Sequence, residues 1–291
     1  MKPTTDNLPE IENTTLARYF GTSEGNVRYH RSNNPAKYEE MVNEYMKASK
    51  SLESLDNNKY TIMMLGFKGG VGKTSLAHIF NEYFNANDES IILNLDISRN
   101  IKDYTDLPAA NIVDLKDGNE VDADLLLEVL HEDKKFAILD TPGNLEHPET
   151  REFLPFVDFF VIPFGVAKEE IDEAINTAEM YFFHPMSKAY DESKPLKILF
   201  VLNNYKDDND LKYIEIFKEH FEKMLSQYNF NYPSFVVEYS RLKTTKAINT
   251  MGWKKQQFAK LSMEMAIAYK AAKKNMDNLF HDFKKLLQTN K

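Results

Sequence analysis

The segment Lys68-Gly69-Gly70-Val71-Gly72-Lys73-Thr74-Ser75 brings together the residue types that binding a phosphate ester requires. Glycines let backbone N–H groups point at an anion without interference from a Cβ. Lys73 supplies a mobile cation, and the Thr74 hydroxyl is placed to ligate Mg²⁺. Three more polar residues close apolar runs: Asp96 after Ile91-Ile92-Leu93-Asn94-Leu95, Asp140 after Phe136-Ala137-Ile138-Leu139, and Asn203 after Val201-Leu202. Phosphoryl transfer asks a protein for charge neutralisation and a positioned water more than for covalent participation, and a lysine-bearing loop with two carboxylates can supply both. Each feature also has a plainer reading, as a glycine-rich turn, an aspartate capping a loop or an asparagine serving a turn.

Such residues act together only if a scaffold brings them to one edge. The apolar run 61–67 leads into the loop as a strand, and 74–84 leaves it as a helix whose amino terminus adds a positive dipole end. Further strands are expected at 91–95, 136–139, 159–163, 198–202 and 234–237, with helices at 121–130, 168–181 and 211–228. This alternation predicts an α/β fold, a doubly wound and mostly parallel sheet of the P-loop NTPase kind, with the phosphate loop at its carboxyl edge.

The 291 residues carry no cysteine, which excludes disulfides, thiolate metal sites and iron–sulfur clusters. No apolar stretch approaches the ~18 residues that span a membrane, and residues 1–12 do not read as a secretory signal, so a cytoplasmic location is expected. Net charge is −9, yet Arg241 to Lys291 holds 12 Lys/Arg against 3 Asp/Glu, or +9. That asymmetry suggests a basic face on an acidic body, or else the solvated sides of two terminal helices.

The first 59 residues differ in kind, with helical patterns and no convincing strand. Leu16 to Arg31 resembles a helix-turn-helix: Ala17 suits the close helix contact, Gly21 the left-handed turn and Val27 the inward face of the second helix. That helix would offer Asn26, Arg28, Tyr29 and Arg31 to DNA, although plain helical hairpins share the pattern. Residues 35–50 read as an amphipathic helix with Tyr38, Met41, Val42, Tyr45 and Met46 inward. The expected division is a small all-α helix-turn-helix domain at 1–51, a linker at 52–59 and the α/β domain with the phosphate loop at 60–291.

The loop departs from the common G-x-x-x-x-G-K-[ST] pattern, because Phe67 stands where the first glycine belongs and Lys68 stands at its entrance. K-G-G-x-G-K-[ST] resembles the deviant Walker A motif of the ParA/MinD family of dimeric ATPases, and the likeness extends over about residues 60–290. The resemblance implies a homodimer with ATP and Mg²⁺ at its interface, in which Lys68 reaches the partner's nucleotide. It further implies that Asp96 orients the attacking water, that Asp140 holds Mg²⁺ through water, that Gly143 senses the γ-phosphate and that Asn203 meets the base. The family's usual aspartate two residues before Asp96 is Asn94 here, and its Pro-Gln is Ile97-Ser98.

With an amino-terminal helix-turn-helix, the resemblance is nearest to plasmid partition proteins of the larger ParA type. Its implied partners are a ParB-like centromere-binding protein that stimulates hydrolysis, nonspecific nucleoid DNA held by Arg241, Lys243 and Lys246, and operator DNA. Two alternatives stand beside it: a nucleotide-switched repressor with little ATPase activity, and a MinD-like positioning ATPase. The second would use the stripe Leu279, Phe280, Phe283, Leu286 and Leu287 on a membrane, where a helix packed on the sheet is the favoured reading.

Overall fold

A computed structural model of the chain describes residues 11, 13, 16, 24–43, 59–67, 69–84, 90–95, 112–114, 116–117, 120–121, 134–143, 153–183, 195–203, 205–227, 235–242 and 263–288. Among them run nine strands, five α-helices of defined bounds and a further helical stretch over 35–43. The strands are β1 (Tyr60–Met64), β2 (Ser90–Asn94), β3 (Ile112–Asp114), β4 (Lys116–Asp117), β5 (Glu120–Val121), β6 (Phe136–Asp140), β7 (Phe159–Phe164), β8 (Leu196–Asn203) and β9 (Phe235–Leu242). The helices are α1 (Glu24–Asn33), α2 (Lys73–Phe84), α3 (Lys168–Ala178), α4 (Lys212–Ser226) and α5 (Met263–Gln288).

Seven strands form one sheet in the order β3-β2-β6-β1-β7-β8-β9, and each neighbouring pair is parallel. Parallel strands covered on both faces read as continuous apolar runs, which is why Ile91 to Leu95 and Phe136 to Leu139 stand out in sequence. Alternate residues serve opposite layers. Met63, Leu93, Leu139, Phe160 and Phe200 belong to the core under α3 and α4. Ile62, Ile92, Ile138, Val161 and Val201 belong to the core under α2 and α5. The sheet is therefore wound on both sides, as the alternation of elements implies.

Pro163 lies inside a central strand, where a missing N–H would ordinarily break the ladder. The Val161 carbonyl accepts from Leu65 N at 2.9 Å, so the backbone groups of residue 163, two along, point to the same β1 side. Strand β1 and its pairing with β7 end at Met64–Val161, so the missing N–H falls where that ladder stops.

Helix α5 is fixed by aromatic packing. Phe80, Phe84, Phe136, Phe159, Phe280 and Phe283 are fully buried. Phe283 meets Phe80 and Phe159 edge to face at 5.1 Å each, and Phe84 stacks on Phe136 at 3.8 Å. Leu279, Leu286 and Leu287 are buried as well, so the stripe is core material rather than a membrane face. No helix among the described residues is long and apolar enough to cross a membrane.

Three boundaries differ from expectation. Val121 pairs with Lys116 in an antiparallel two-residue hairpin instead of opening a helix, and 122–130 lies outside the described residues. β3 was too short to signal itself. β9 runs on through Glu238, Tyr239, Ser240 and Arg241 to Leu242, because an edge strand with polar residues on its register lacks the buried apolar signature.

In the amino-terminal region α1 ends at Asn33 and helix resumes over 35–43. Asn34 caps the restart, its Oδ1 accepting from Lys37 N at 3.3 Å, with Pro35 in the first helical position, where its fixed φ is already suited. Val27, Tyr38, Met41 and Val42 are buried. Tyr45, Met46, the turn residues Ala17 and Gly21, and the expected domain junction at 52 lie outside the described residues.

Candidate functional site

Strand β1, the loop after it and helix α2 form a cradle at the carboxyl edge of the sheet. Gly70 and Gly72 hold φ at +87° and +101°, a region L side chains rarely adopt, and this turns successive backbone amides around the loop. Helical bonding starts with Leu76 N donating to the Gly72 carbonyl at 2.9 Å. The amides of Lys73, Thr74 and Ser75 thus make up the electropositive end of α2.

Lys73 is 6% exposed, and its Nζ donates to the Gly66 carbonyl at 3.1 Å. Its stem lies across Gly66, where a Cβ would stand 3.6 Å from Lys73 Cδ. Val71, Thr74 and Ser75 are half-buried, while Gly69 and Gly70 face outward with nothing within 4 Å of an added Cβ. One side of the loop is therefore packed and the other open.

Two strand ends meet beside the cradle. Asp140, fully buried at the end of β6, is in register with Met64 of β1 and with Asn94 of β2. Asp140 shares the strand face of Phe136 and Ile138, which pack in the α2 layer, so its carboxylate faces the loop's own helix. The β6 terminus is stitched on both sides: Leu95 N donates to the Asp140 carbonyl at 2.9 Å, and the Thr141 hydroxyl donates to the Met64 carbonyl. Asn94 is 1% exposed and shares the face of Ile92, which sets it next to Asp140. Asn94, in sequence only a departure from the resembled pattern, is thus placed by register beside Asp140 at the candidate site.

Asn203 ends β8, and its Nδ2 donates to the Val71 carbonyl at 2.8 Å. An ideal Cβ at Gly72 would fall 2.2 Å from that same nitrogen. Gly143, half-buried, follows Asp140 at this edge. Lys68 and Asp96 lie outside the described residues.

The arrangement fits a phosphate ester with a hard cation. Positive-φ glycines and a helix amino terminus make an anion cradle open on one side, and the Thr74 hydroxyl and Asp140 carboxylate are oxygen donors of the class Mg²⁺ takes.

The candidate DNA contacts divide. Asn26, Arg28, Tyr29 and Arg31 are all exposed on α1. Arg28 pairs with Glu24 at 2.8 Å, and Arg31 lies over the Tyr38 ring at 5.7 Å. Arg241, by contrast, is a half-buried residue of β9 in register with Leu202, not part of a tail beyond the sheet. Its charge bears on Tyr205, whose phenol burial pushes up in pKa while Arg241 opposes the rise and Asp208 adds to it. Lys243 and Lys246 lie outside the described residues. On α5, Lys285 pairs with Asp282 at 2.9 Å and Lys284 sits over the Tyr83 ring at 5.7 Å.

No protein-family model matches the chain, and no curated protein matches it. Solved structures do. Cyanothece apo McdA shares 13% identity over 78% of this chain and 100% of its own, with a TM-score of 0.53. The ParA of pNOB8 shares 11% over 80% of this chain and 100% of its own, with a TM-score of 0.51. The same pNOB8 protein bound to nonspecific DNA gives a TM-score of 0.44 at 14% identity, over 76% of this chain and 99% of its own. The fold is that of the ParA/MinD-family ATPases.

Proposed function

We propose that the chain is a ParA-like ATPase for DNA partition, dimerising on ATP and then holding nonspecific DNA. The observation that carries this reading is the anion cradle: two positive-φ glycines opening α2 at Lys73, with Asp140 buried at the next strand end. In this reading the loop amides and Lys73 bind the phosphates and hold them against β1. Mg²⁺, held by Thr74 and through water by Asp140, would neutralise phosphate oxygens. Asp96 orients a water whose oxygen bonds the terminal phosphorus as the bridging bond to ADP breaks. Lys68 crosses the dimer and adds a cation to the partner's site, an effect worth on the order of 10³ to 10⁵ in rate where such residues act in trans.

The chain divides in this proposal into a DNA-reading unit at 1–51, a linker at 52–59 and the ATPase unit at 60–291. Closure of the dimer presents the basic carboxyl-terminal residues to nucleoid DNA, a ParB-like partner stimulates hydrolysis and release, and α1 gives the chain a second, operator-directed contact. The burial of Leu279, Phe280 and Phe283 favours this over membrane positioning.

The test is fluorescence anisotropy with random-sequence duplex under ATP, ADP and no nucleotide, paired with phosphate release. The full chain is compared with one starting at Asn58. ATP-dependent, salt-sensitive binding that survives truncation is expected, with turnover lost in Lys68→Ala. Indifference to random DNA in every nucleotide state would defeat the proposal; operator binding with negligible hydrolysis would replace it with a nucleotide-switched repressor.

A further inference from the structure

Asn203 is 2% exposed, so it offers almost no surface to a base. Its amide is instead engaged with the loop, Nδ2 to the Val71 carbonyl at 2.8 Å, across 132 residues of sequence. The peptide units here are trans, and in a trans unit the carbonyl and the following N–H point in opposite directions. Fixing the Val71 carbonyl toward β8 therefore turns the Gly72 N–H to the other side of the loop. The β8 side is filled, because an added Cβ on Gly72 would meet Asn203 Nδ2 at 2.2 Å. Around Gly69 and Gly70 the loop is open, with nothing within 4 Å of an added Cβ.

We infer that Asn203 is a positioning residue of the phosphate loop, aiming the Gly72 N–H at a bound phosphate rather than reading the base. This rests on the nucleotide-site reading above and specifies which part of the ligand Asn203 serves. The Asn203 amide bridges the end of β8 to the loop, so that the loop keeps its phosphate-binding curvature before ligand arrives. Gly72 is constrained twice, by its positive φ and by the amide packed where a side chain would start.

The experiment is calorimetric titration of the full chain, Asn203→Ala and Asn203→Asp with three ligands: ATP, GTP and inorganic tripolyphosphate, each with Mg²⁺. Loss of the donor should weaken all three by the same factor, about five- to tenfold for one hydrogen bond. Weakening of ATP alone, with tripolyphosphate unchanged, would return Asn203 to the base edge and overturn the inference. Circular dichroism checks folding. If Asn203→Ala unfolds, the near-isosteric Asn203→Asp removes the same donor. In the unaltered chain, the Asn203 side-chain amide resonances should respond alike to all three ligands, and a response to ATP alone would again overturn the inference. Failure of the unaltered chain to bind either ATP or tripolyphosphate would instead remove the nucleotide site itself, and this inference with it.

Discussion

Lys73 is 6% exposed and tied to the Gly66 carbonyl, whereas the Arg28 side chain on α1 is 67% exposed and steadied by Glu24 one turn away. Both are cations suited to phosphate oxygens, but they are held by different physics. The loop cation and its neighbours Asp140, Asn94 and Asn203 sit in a largely desolvated sheet edge, where hydrogen bonds to backbone fix Lys73 and Asn203 and a single displacement is costly. The α1 residues stand in water, where an ion pair contributes little to folding and a side chain can follow a partner's phosphates. Rigid binding of a small anion and adaptable binding of a long polyanion thus call for opposite degrees of burial.

The largest effect should separate the two regions outright. Lys73→Ala should lower ATP turnover roughly 10²- to 10³-fold, the range seen when one preorganised charge-stabilising donor is removed. Any operator-directed contact through α1 should persist. Phosphate-release assays and anisotropy on the same preparation check both halves, and equal loss of the two would mean that α1 is not an independent binding surface.

Stability should divide along the same line. Phe283→Ala empties a site walled by Phe80, Phe84 and Phe159, and should cost about 3–5 kcal/mol. Tyr29→Ala, at 58% exposure on α1, should stay within about 0.5 kcal/mol. Urea midpoints measure the contrast. A similar cost for the two would show Tyr29 packed in solution.

His78 sharpens the description of the loop's helix as desolvated. It is 1% exposed on α2, and burial lowers its pKa from 6.5 to about 4. Between those values the unfolded chain binds a proton that the folded chain refuses. Stability from this group is therefore full above pH 6.5 and lost as pH falls toward 4, by about 3 kcal/mol across the window. Urea unfolding at pH 7.5 and 5 should show a fall that His78→Gln reduces by about 2 kcal/mol. Identical pH dependence in the variant would contradict a neutral, desolvated His78.

These contrasts also explain what could be read before the structure. The runs ending at Asn94, Asp140 and Asn203 announce themselves because strands covered on both faces are apolar throughout, and the loop glycines announce the cradle because anion binding demands positive φ. The end of β9 was hidden by Glu238, Ser240 and Arg241, which an edge strand tolerates; Arg241 therefore read as tail. The contact from Asn203 to Val71 could not be read at all, since it joins positions 132 apart and a strand-end asparagine serves turns, loops and ligands alike. Asn94 gained meaning through register with Asp140, which depends on how far each strand runs. On α1, type and spacing supplied the exposed face, because helical periodicity fixes which residues turn outward once Val27 turns in.

The smallest change in folding is expected where the change in DNA binding should be most readable. Arg28 and Arg31 both stand on the exposed side of α1, one paired with Glu24 and one lying over Tyr38. Replacing both by alanine removes an exposed ion pair and a cation–π contact, so unfolding should shift by no more than about 1 kcal/mol. If each neutralises one phosphate, the double variant should lower the magnitude of the log–log salt slope by about 2 in the full chain. An unaltered slope would take α1 off the DNA and assign the electrostatic contact to the carboxyl-terminal residues. Lys73 would then belong to a buried anion site, and Arg28 and Arg31 to a surface whose exposed cations serve solubility.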